Sequence, residues 1–329
     1  MKILALIIAA MAALTPAAFA QESPRPLRPV HTFSIVARDA TTGQIGVAVQ
    51  SHWFSVGASV PWAAPGVGAI ATQSFVDPSY GPLGLELMRN GKTAEEALHA
   101  LLAADAHADV RQVGMVDAQG HVANHTGANS IQHFCNLTGE GYAVQANLMG
   151  PDTVCRALAD GYTHANGDLA ARLLAALQAA QATGGDIRGQ QSAAIIVVSG
   201  DRSLPAWGGR IFDLRVEDNP RPIEELARLV NLQRAYNLMT DGDNATAAGD
   251  LAAARQHYSA AMALAPNNHE MIFWTAVALA STGDVDASLP LFRRAFRLHP
   301  AWRELVTRLP AAGLMPNDPA VMARITSVH

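Results

Sequence analysis

The sequence predicts a mixed α+β region, a four-layer α/β/β/α sandwich, followed by an all-α helical stack. Three observations carry this. Stretches that alternate apolar and polar residues come in pairs joined by turn material. Helical stretches, also paired, are interposed between them. Near "VEDNPRP", residues 216–222, the strand pattern stops, and a helical pattern with a period of 34 residues takes over.

The N-terminus is set apart from both. Lys2, an apolar run from Ile3 to Leu14 and the Ala18-Phe19-Ala20 end have the form of a secretory signal cut before Gln21. The run is short for a membrane span, which needs roughly 20 apolar residues. The expected location is therefore periplasmic or secreted, with no membrane association after signal cleavage. Residues 21–30 form a proline-rich leader. A formal net charge of −5 argues against nucleic acid as a partner. Cys135 and Cys155 are the only cysteines. In an oxidising compartment they form a disulfide, or they are two buried small hydrophobes.

Residues 31–216 hold the sandwich. "TFSIVARD" and "QIGVAVQS" alternate around the turn "ATTG". "GVGAIATQSF" is a third strand. Pro82 to Asn90 reads as a helix opening on proline and stopping at Gly91, and Thr93-x-x-Glu96 is a capping box for the next helix. "RQVGMVD" and "HVANHTG" form a hairpin. "GYAVQANLM" is a strand before a helix from Asp152, and an alanine-rich helix runs from Asp168 to about Ala180. "SAAIIVVS" is apolar throughout, as in a central strand covered on both faces. "RIFDLRVED" closes the region.

Residues 217–222 are a linker and 223–310 the helical stack, with 311–329 as a tail. Gly249-Asp250 recurs at Gly283-Asp284, Ala261 at Ala295 and Pro266 at Pro300, each 34 residues on. This period resembles tetratricopeptide repeats. Pro290 falls inside the second copy and is expected to shorten or bend its helix. The stack offers a groove for a peptide or protein partner, or it packs on its own chain or drives homo-oligomer formation.

The motifs "TFSIVARDATTGQIGVAVQS", "GVGAIATQSF", "YGPLGLELMRNGKTAEEAL", "RQVGMVD", "HTG", "VQANLM" and "GGDIRGQQSAAIIVV" occur in the order of domain-of-unknown-function family 1028. From Thr32 to Ser199 the chain resembles that family, which in turn resembles N-terminal-nucleophile (Ntn) hydrolases in fold. The resemblance implies an Ntn-type sandwich and leaves the reaction open. Many members look like Met-Thr-Phe-Ser at their start, so loss of methionine exposes the threonine. Here His31 precedes Thr32.

Threonine chemistry of this kind needs a chain end. The hydroxyl is a poor nucleophile until a base takes its proton, and the base is the free α-amine, of ordinary pKa about 7.7–8.0. An internal Thr32 has an amide nitrogen instead, so a catalytic Thr32 requires a cut at His31–Thr32. Lysine assistance is excluded, since Lys2 leaves with the signal and Lys92 lies in a surface turn. Asp186 is a candidate to orient Thr32 or Arg188, and Asn147 to donate to an oxyanion. Arg188 has the fork to clamp a carboxylate; the alternative is an Asp186–Arg188 pair that pins a loop. Gln73, Gln190 and His125 complete the ligand-binding candidates, and Gln145 shares a strand face with Asn147. His121, His125, His133 and Cys135 lack clean metal-ligand spacing, so no metal and no cofactor is expected.

Two function classes follow. One is an exported Ntn-type amidohydrolase for a small amide or peptide, with the repeats as a docking arm. The other is a catalytically silent Ntn-fold module that binds a ligand or partner.

Overall fold

The structure, a computed structural model, describes residues 32–150, 152–205 and 207–329. The signal, the leader and His31 lie outside the described residues. The strands are β1 (Thr32–Arg38), β2 (Ile45–Ser51), β3 (Pro61–Ala64), β4 (Gly68–Ser74), β5 (Arg111–Asp117), β6 (Val122–Thr126), β7 (Cys135–Gly139), β8 (Tyr142–Ala146), β9 (Ser192–Val198) and β10 (Arg210–Val216). Helices α1 (Tyr80–Arg89) and α2 (Ala94–Ala104) follow β4, and α3 (Val154–His164) and α4 (Leu169–Ala182) precede β9.

The strands build two antiparallel sheets. The large sheet has the order β10-β9-β2-β1-β8-β7 and the small sheet β3-β4-β5-β6. The expected turns and caps explain the local paths. Asp39 Oδ1 accepts from the Thr41 and Thr42 amides at 2.9 and 2.8 Å, closing the β1–β2 turn. Thr93 and Glu96 form the capping box of α2, and Asp168 caps α4. Strand β9 is buried at every position but lies second from the sheet edge rather than at the centre. Its apolar run reflects cover on both faces, not lateral position.

Side-chain alternation assigns each strand face to a core. On β1, Phe33 and Ile35 face α3 and α4, where they meet Leu158, Leu173 and Leu177. Val36 points the other way and meets Val47, Val49 and Ile196 of its own sheet with Ala69, Ala71 and Val116 of the small sheet. The far face of the small sheet packs Ile70, Val113 and Met115 against Leu85, Met88 and Leu98 of α1 and α2. Each fully buried side chain of this size contributes roughly 1.5–3 kcal/mol.

Beyond the sheets run α5 (Pro222–Ala247), α6 (Leu251–Leu264), α7 (His269–Ser281), α8 (Val285–Leu298), α9 (Trp302–Val306) and α10 (Pro319–Thr326). α5 enters two cores: Ile223, Leu226 and Val230 pack under the large sheet, and Ala235 and Met239 pack with α6 and α7. The repeated Gly-Asp turns are equivalent in detail. Gly249 and Gly283 have φ of 80° and 90°, a conformation glycine adopts without Cβ strain. Asp250 and Asp284 each cap the following helix through the amide three residues on. Pro290 does not shorten its helix, because α8 runs through it to the same 14 residues as α6. The helix gives up one amide donor there, while Phe292, Ala295 and Phe296 remain buried. The segment expected as a tail carries α10, whose Ile325 is buried in the same core.

Candidate functional site

The space between the sheets is apolar at one end and polar at the other, along the same strands and on the same faces. Counting back by twos from Val36 gives Ser34 and Thr32; from Ala143 on β8, forward, Gln145 and Asn147. Counting from Ala71 gives Gln73, and from Val116, past Gly114, Gln112. All six polar residues are fully buried. They come as cross-strand neighbours: Ser34 is paired with Gln145 and Gln73 with Gln112. Gly114 is required here, since a Cβ at that position would lie 2.2 Å from Gln145 Oε1.

Hydrogen bonds join the two sheets. The Ser34 hydroxyl donates to Gln73 Oε1 at 2.5 Å and accepts from Gln145 Nε2 at 2.6 Å. Gln73 Nε2 donates to Gln112 Oε1 at 2.7 Å and to the Thr32 carbonyl at 3.2 Å. The Asn147 amide also donates to the Thr32 carbonyl, at 3.1 Å, and its side-chain Nδ2 donates to Gln112 Oε1 at 2.9 Å. The Thr32 hydroxyl donates to Ser51 Oγ at 3.2 Å. Thr32, Asn147 and Gln73 therefore come together. Asn147 spends one Nδ2 hydrogen on Gln112, and its buried Oδ1 has no hydrogen-bond partner among the described residues. The residues following Gln73 and Asn147 are strained: Ser74 has φ 69° and Leu148 φ 53°, a region costly for a side chain with a Cβ.

Asp186 and Arg188 form a second group on the loop before β9. The guanidinium grips the carboxylate through Nε at 3.1 Å and Nη2 at 2.7 Å. Asp186 Oδ2 also accepts the His52 amide at 3.1 Å, which ties the loop to the end of β2. The fork of Arg188 is thus directed at Asp186, and the pair pins the loop. Gln190 is half-buried on the same loop. His125 stands apart. It alternates with Asn124, which faces the large sheet, so its ring turns to the helical side and bonds the Ala108 carbonyl at 2.8 Å. His121 precedes β6 and pairs with Asp117. Cys135 is joined to Cys155 in a disulfide that ties β7 to α3.

Residues 32–226 match the family of unknown function DUF1028. The chain belongs to that family. A crystal structure of a protein from Silicibacter pomeroyi, described with the same family, is similar at 30% identity and a TM-score of 0.56; the match covers 66% of this chain and 89% of that one. No curated protein matches. The family match begins at Thr32, the first residue of β1, and ends inside α5. Helices α6 to α10 lie beyond it.

Within the family region, sequence reasoning missed Ser34, Ser51 and Gln112. Period-two counting from the apolar end of each strand would have found all three. A further polar cluster lies on the opposite face of the small sheet. Arg111 Nε meets Asp105 at 2.6 Å, and Tyr80 donates to Asp105 at 3.0 Å. Burial pushes the Asp105 carboxyl upward, but the Arg111 and His107 hydrogen bonds outweigh it and hold the group below its ordinary value. Burial and the neighbouring Asp105 push the Tyr80 phenol up, so it stays a donor. These residues line a cavity of about 330 Å³ between α1 and α2.

Proposed function

We propose that this chain is an exported amidohydrolase of the Ntn type, acting on a small amide or peptide, with Thr32 as nucleophile once the leader is removed. The observation that carries the reading is the setting of Thr32. It opens β1 at the polar end of the intersheet space, its hydroxyl bonded to Ser51 and its carbonyl held by Gln73 and Asn147. Two antiparallel sheets face to face, with helix pairs outside, support the Ntn-type sandwich. The disulfide supports export, since such bonds persist in oxidising compartments. The two hairpins with equivalent turns support a tetratricopeptide-like arm.

The mechanism follows from the chain end. A free α-amine at Thr32 takes the hydroxyl proton as the oxygen attacks the substrate carbonyl carbon. The amine leaving group departs with that proton, leaving an ester on Thr32. Water, activated by the same α-amine, then hydrolyses the ester. A second reading, a ligand-binding module, is favoured by one observation: Ser51, which meets the Thr32 hydroxyl, and Gln73, which meets its carbonyl, are neutral side chains.

Three proteins separate the readings: the chain from Thr32, the chain from Gln21, and Thr32→Ala in the shorter form. Each is assayed against simple amides, γ-glutamyl compounds and short peptides. The hydrolase reading expects turnover from the Thr32-start chain, lost in Thr32→Ala and much weaker with the leader attached. Equal turnover in the leader-bearing form moves the chemistry to another residue, and no turnover by any form favours the binding module.

A further inference from the structure

The orientation of the buried amides is fixed by the network, and it determines what Asn147 can do. Gln112 Nε2 lies 3.0 Å from the Ala146 carbonyl and 3.4 Å from the Cys135 carbonyl. Carbonyls only accept, so this end of Gln112 is the NH₂ and the other end is Oε1. Two side chains converge on that oxygen, Gln73 at 2.7 Å and Asn147 at 2.9 Å. Both must present nitrogen to it. Turning Asn147 over would set two acceptor oxygens against each other in a buried site, at the full cost of an unmade hydrogen bond. Asn147 therefore turns an acceptor, Oδ1, toward the site, beside the second hydrogen of its Nδ2.

That oxygen is fully buried and lacks a partner among the described residues. Buried polar groups of this kind are satisfied in the working molecule by something that donates. An oxyanion cannot fill that place, because it too is an acceptor. Asn147 is the next residue after the Phe33–Ala146 pair in the β1–β8 register, so it stands across from Thr32, on the same face. Side chains so placed have Cβ atoms about 4.5–5.5 Å apart.

We propose that Asn147 is a positioning residue whose Oδ1 accepts a hydrogen from the α-amine of Thr32 in the processed chain. This rests on the reading of Thr32 as an N-terminal nucleophile. A neutral α-amine has two hydrogens and one lone pair. Tying one hydrogen to Asn147 removes rotation about the N–Cα bond and leaves the lone pair to take the proton of the Thr32 hydroxyl. The same contact favours the ammonium form, which donates more strongly than the neutral amine. The ionisable side chains at this end of the sheets are His52, His133, Asp186 and Arg188 on the large-sheet side, with Asp77, Asp105 and Arg111 beyond the small sheet. The test leaves all of them in place.

The chain from Thr32 retains both sheets and every hydrogen bond cited here, and thermal melting beside the full chain checks its fold. It contains one lysine, Lys92, so the α-amine and Lys92 are its only amines. Acetic anhydride labelling across pH 5–10, read by mass spectrometry of the N-terminal and Lys92 peptides, gives the α-amine midpoint with an internal reference. Asn147→Leu is expected to lower that midpoint by about one pH unit, the scale of one hydrogen bond to a charged group, with Lys92 unmoved. Gln112 Oε1 keeps Gln73 as a donor in this variant, and Asn147→Ala serves if leucine overfills the site. An unchanged midpoint in both variants would falsify the contact, even in a protein that turns substrate over. A shifted midpoint in a folded protein that hydrolyses nothing sustains the contact and overturns Thr32 as nucleophile.

Discussion

On the outer face of the small sheet, Arg111, Asp105 and Tyr80 make an ionic cluster in which each charge meets a partner. On the inner face, Gln73 and Gln112 open a neutral amide cluster that ends at an oxygen with no partner. The two clusters grow from adjacent residues. Ser74 pairs with Arg111 and Gln73 with Gln112, so one step along the strands separates them. An ion pair whose charges are matched is a structural device, held because removing one partner strands the other. A buried amide network has little charge to protect, and this one keeps Asn147 Oδ1 unpartnered among the described residues, beside strained backbone at Leu148. Strain is confined to the inner side of this comparison through Leu148, and shared at Ser74, where the two clusters meet.

The largest effect is expected at the closed cluster. Arg111→Met should cost about 3–5 kcal/mol in denaturant unfolding, since it leaves the half-buried Asp105 without its cation. The loss should depend on pH in one direction. The folded Asp105 value lies below its ordinary one, so its stabilising contribution is present above the unfolded carboxylate value, near 3.9, and disappears as pH falls through the folded value. The parent and Arg111→Met should therefore converge in stability as pH falls below the unfolded carboxylate value and through the lower folded one. A constant difference from pH 7 to pH 2 would mean that packing, and not the ion pair, holds Arg111.

Next in size is the anchor of the amide cluster. Gln112→Leu removes the donor to the Ala146 carbonyl and the acceptor for Asn147. Two buried groups then lack partners, at about 1–3 kcal/mol each. Unlike Arg111→Met, this variant should lose the same amount at pH 4 and pH 7, because the groups involved do not titrate there. A pH-dependent loss would show that an ionisable group belongs to the inner cluster, and the contrast between the two faces would fail.

Much of this was legible in sequence order. Alternation fixes which residues share a face, so Thr32 and Ser34, or Gln145 and Asn147, can be grouped without coordinates. The paired hairpins and the 34-residue helical period were equally open to inspection. What alternation cannot supply is which faces meet. Nothing in "RQVGMVD" says that Gln112 reaches Asn147, or that Gly114 is empty to admit Gln145. His125, a ligand-binding candidate from the sequence, illustrates the converse: its neighbour Asn124 faces the large sheet, and odd and even positions on one strand look into different layers. The short strands β3 and β7 escaped notice for local reasons. β3 opens on Pro61, which cannot donate to a ladder and confines it to an edge. β7 reads Cys-Asn-Leu-Thr-Gly, poor in strand formers, and is held at the other edge by β8 and by its disulfide.

The smallest expected effect, and the one that bears most directly on the comparison, is at the seam. Ser74 combines a left-handed φ of 69° with a fully buried hydroxyl that has no partner among the described residues. Ser74→Gly removes both penalties, while glycine's greater freedom in the unfolded chain opposes the gain. The balance should be a stabilisation of up to about 1 kcal/mol. If the strain serves to present Gln73 to the Thr32 carbonyl, that stabilised protein should turn substrate over more slowly in the Thr32-start form, because Gln73 is held less firmly. Stability and activity measured on the same preparation therefore move in opposite directions. A gain in stability with activity intact would make Ser74 an incidental feature of the β4 end. A loss of stability would mean that the serine conformation is supported by its surroundings, and that the inner cluster is as closed as the outer one.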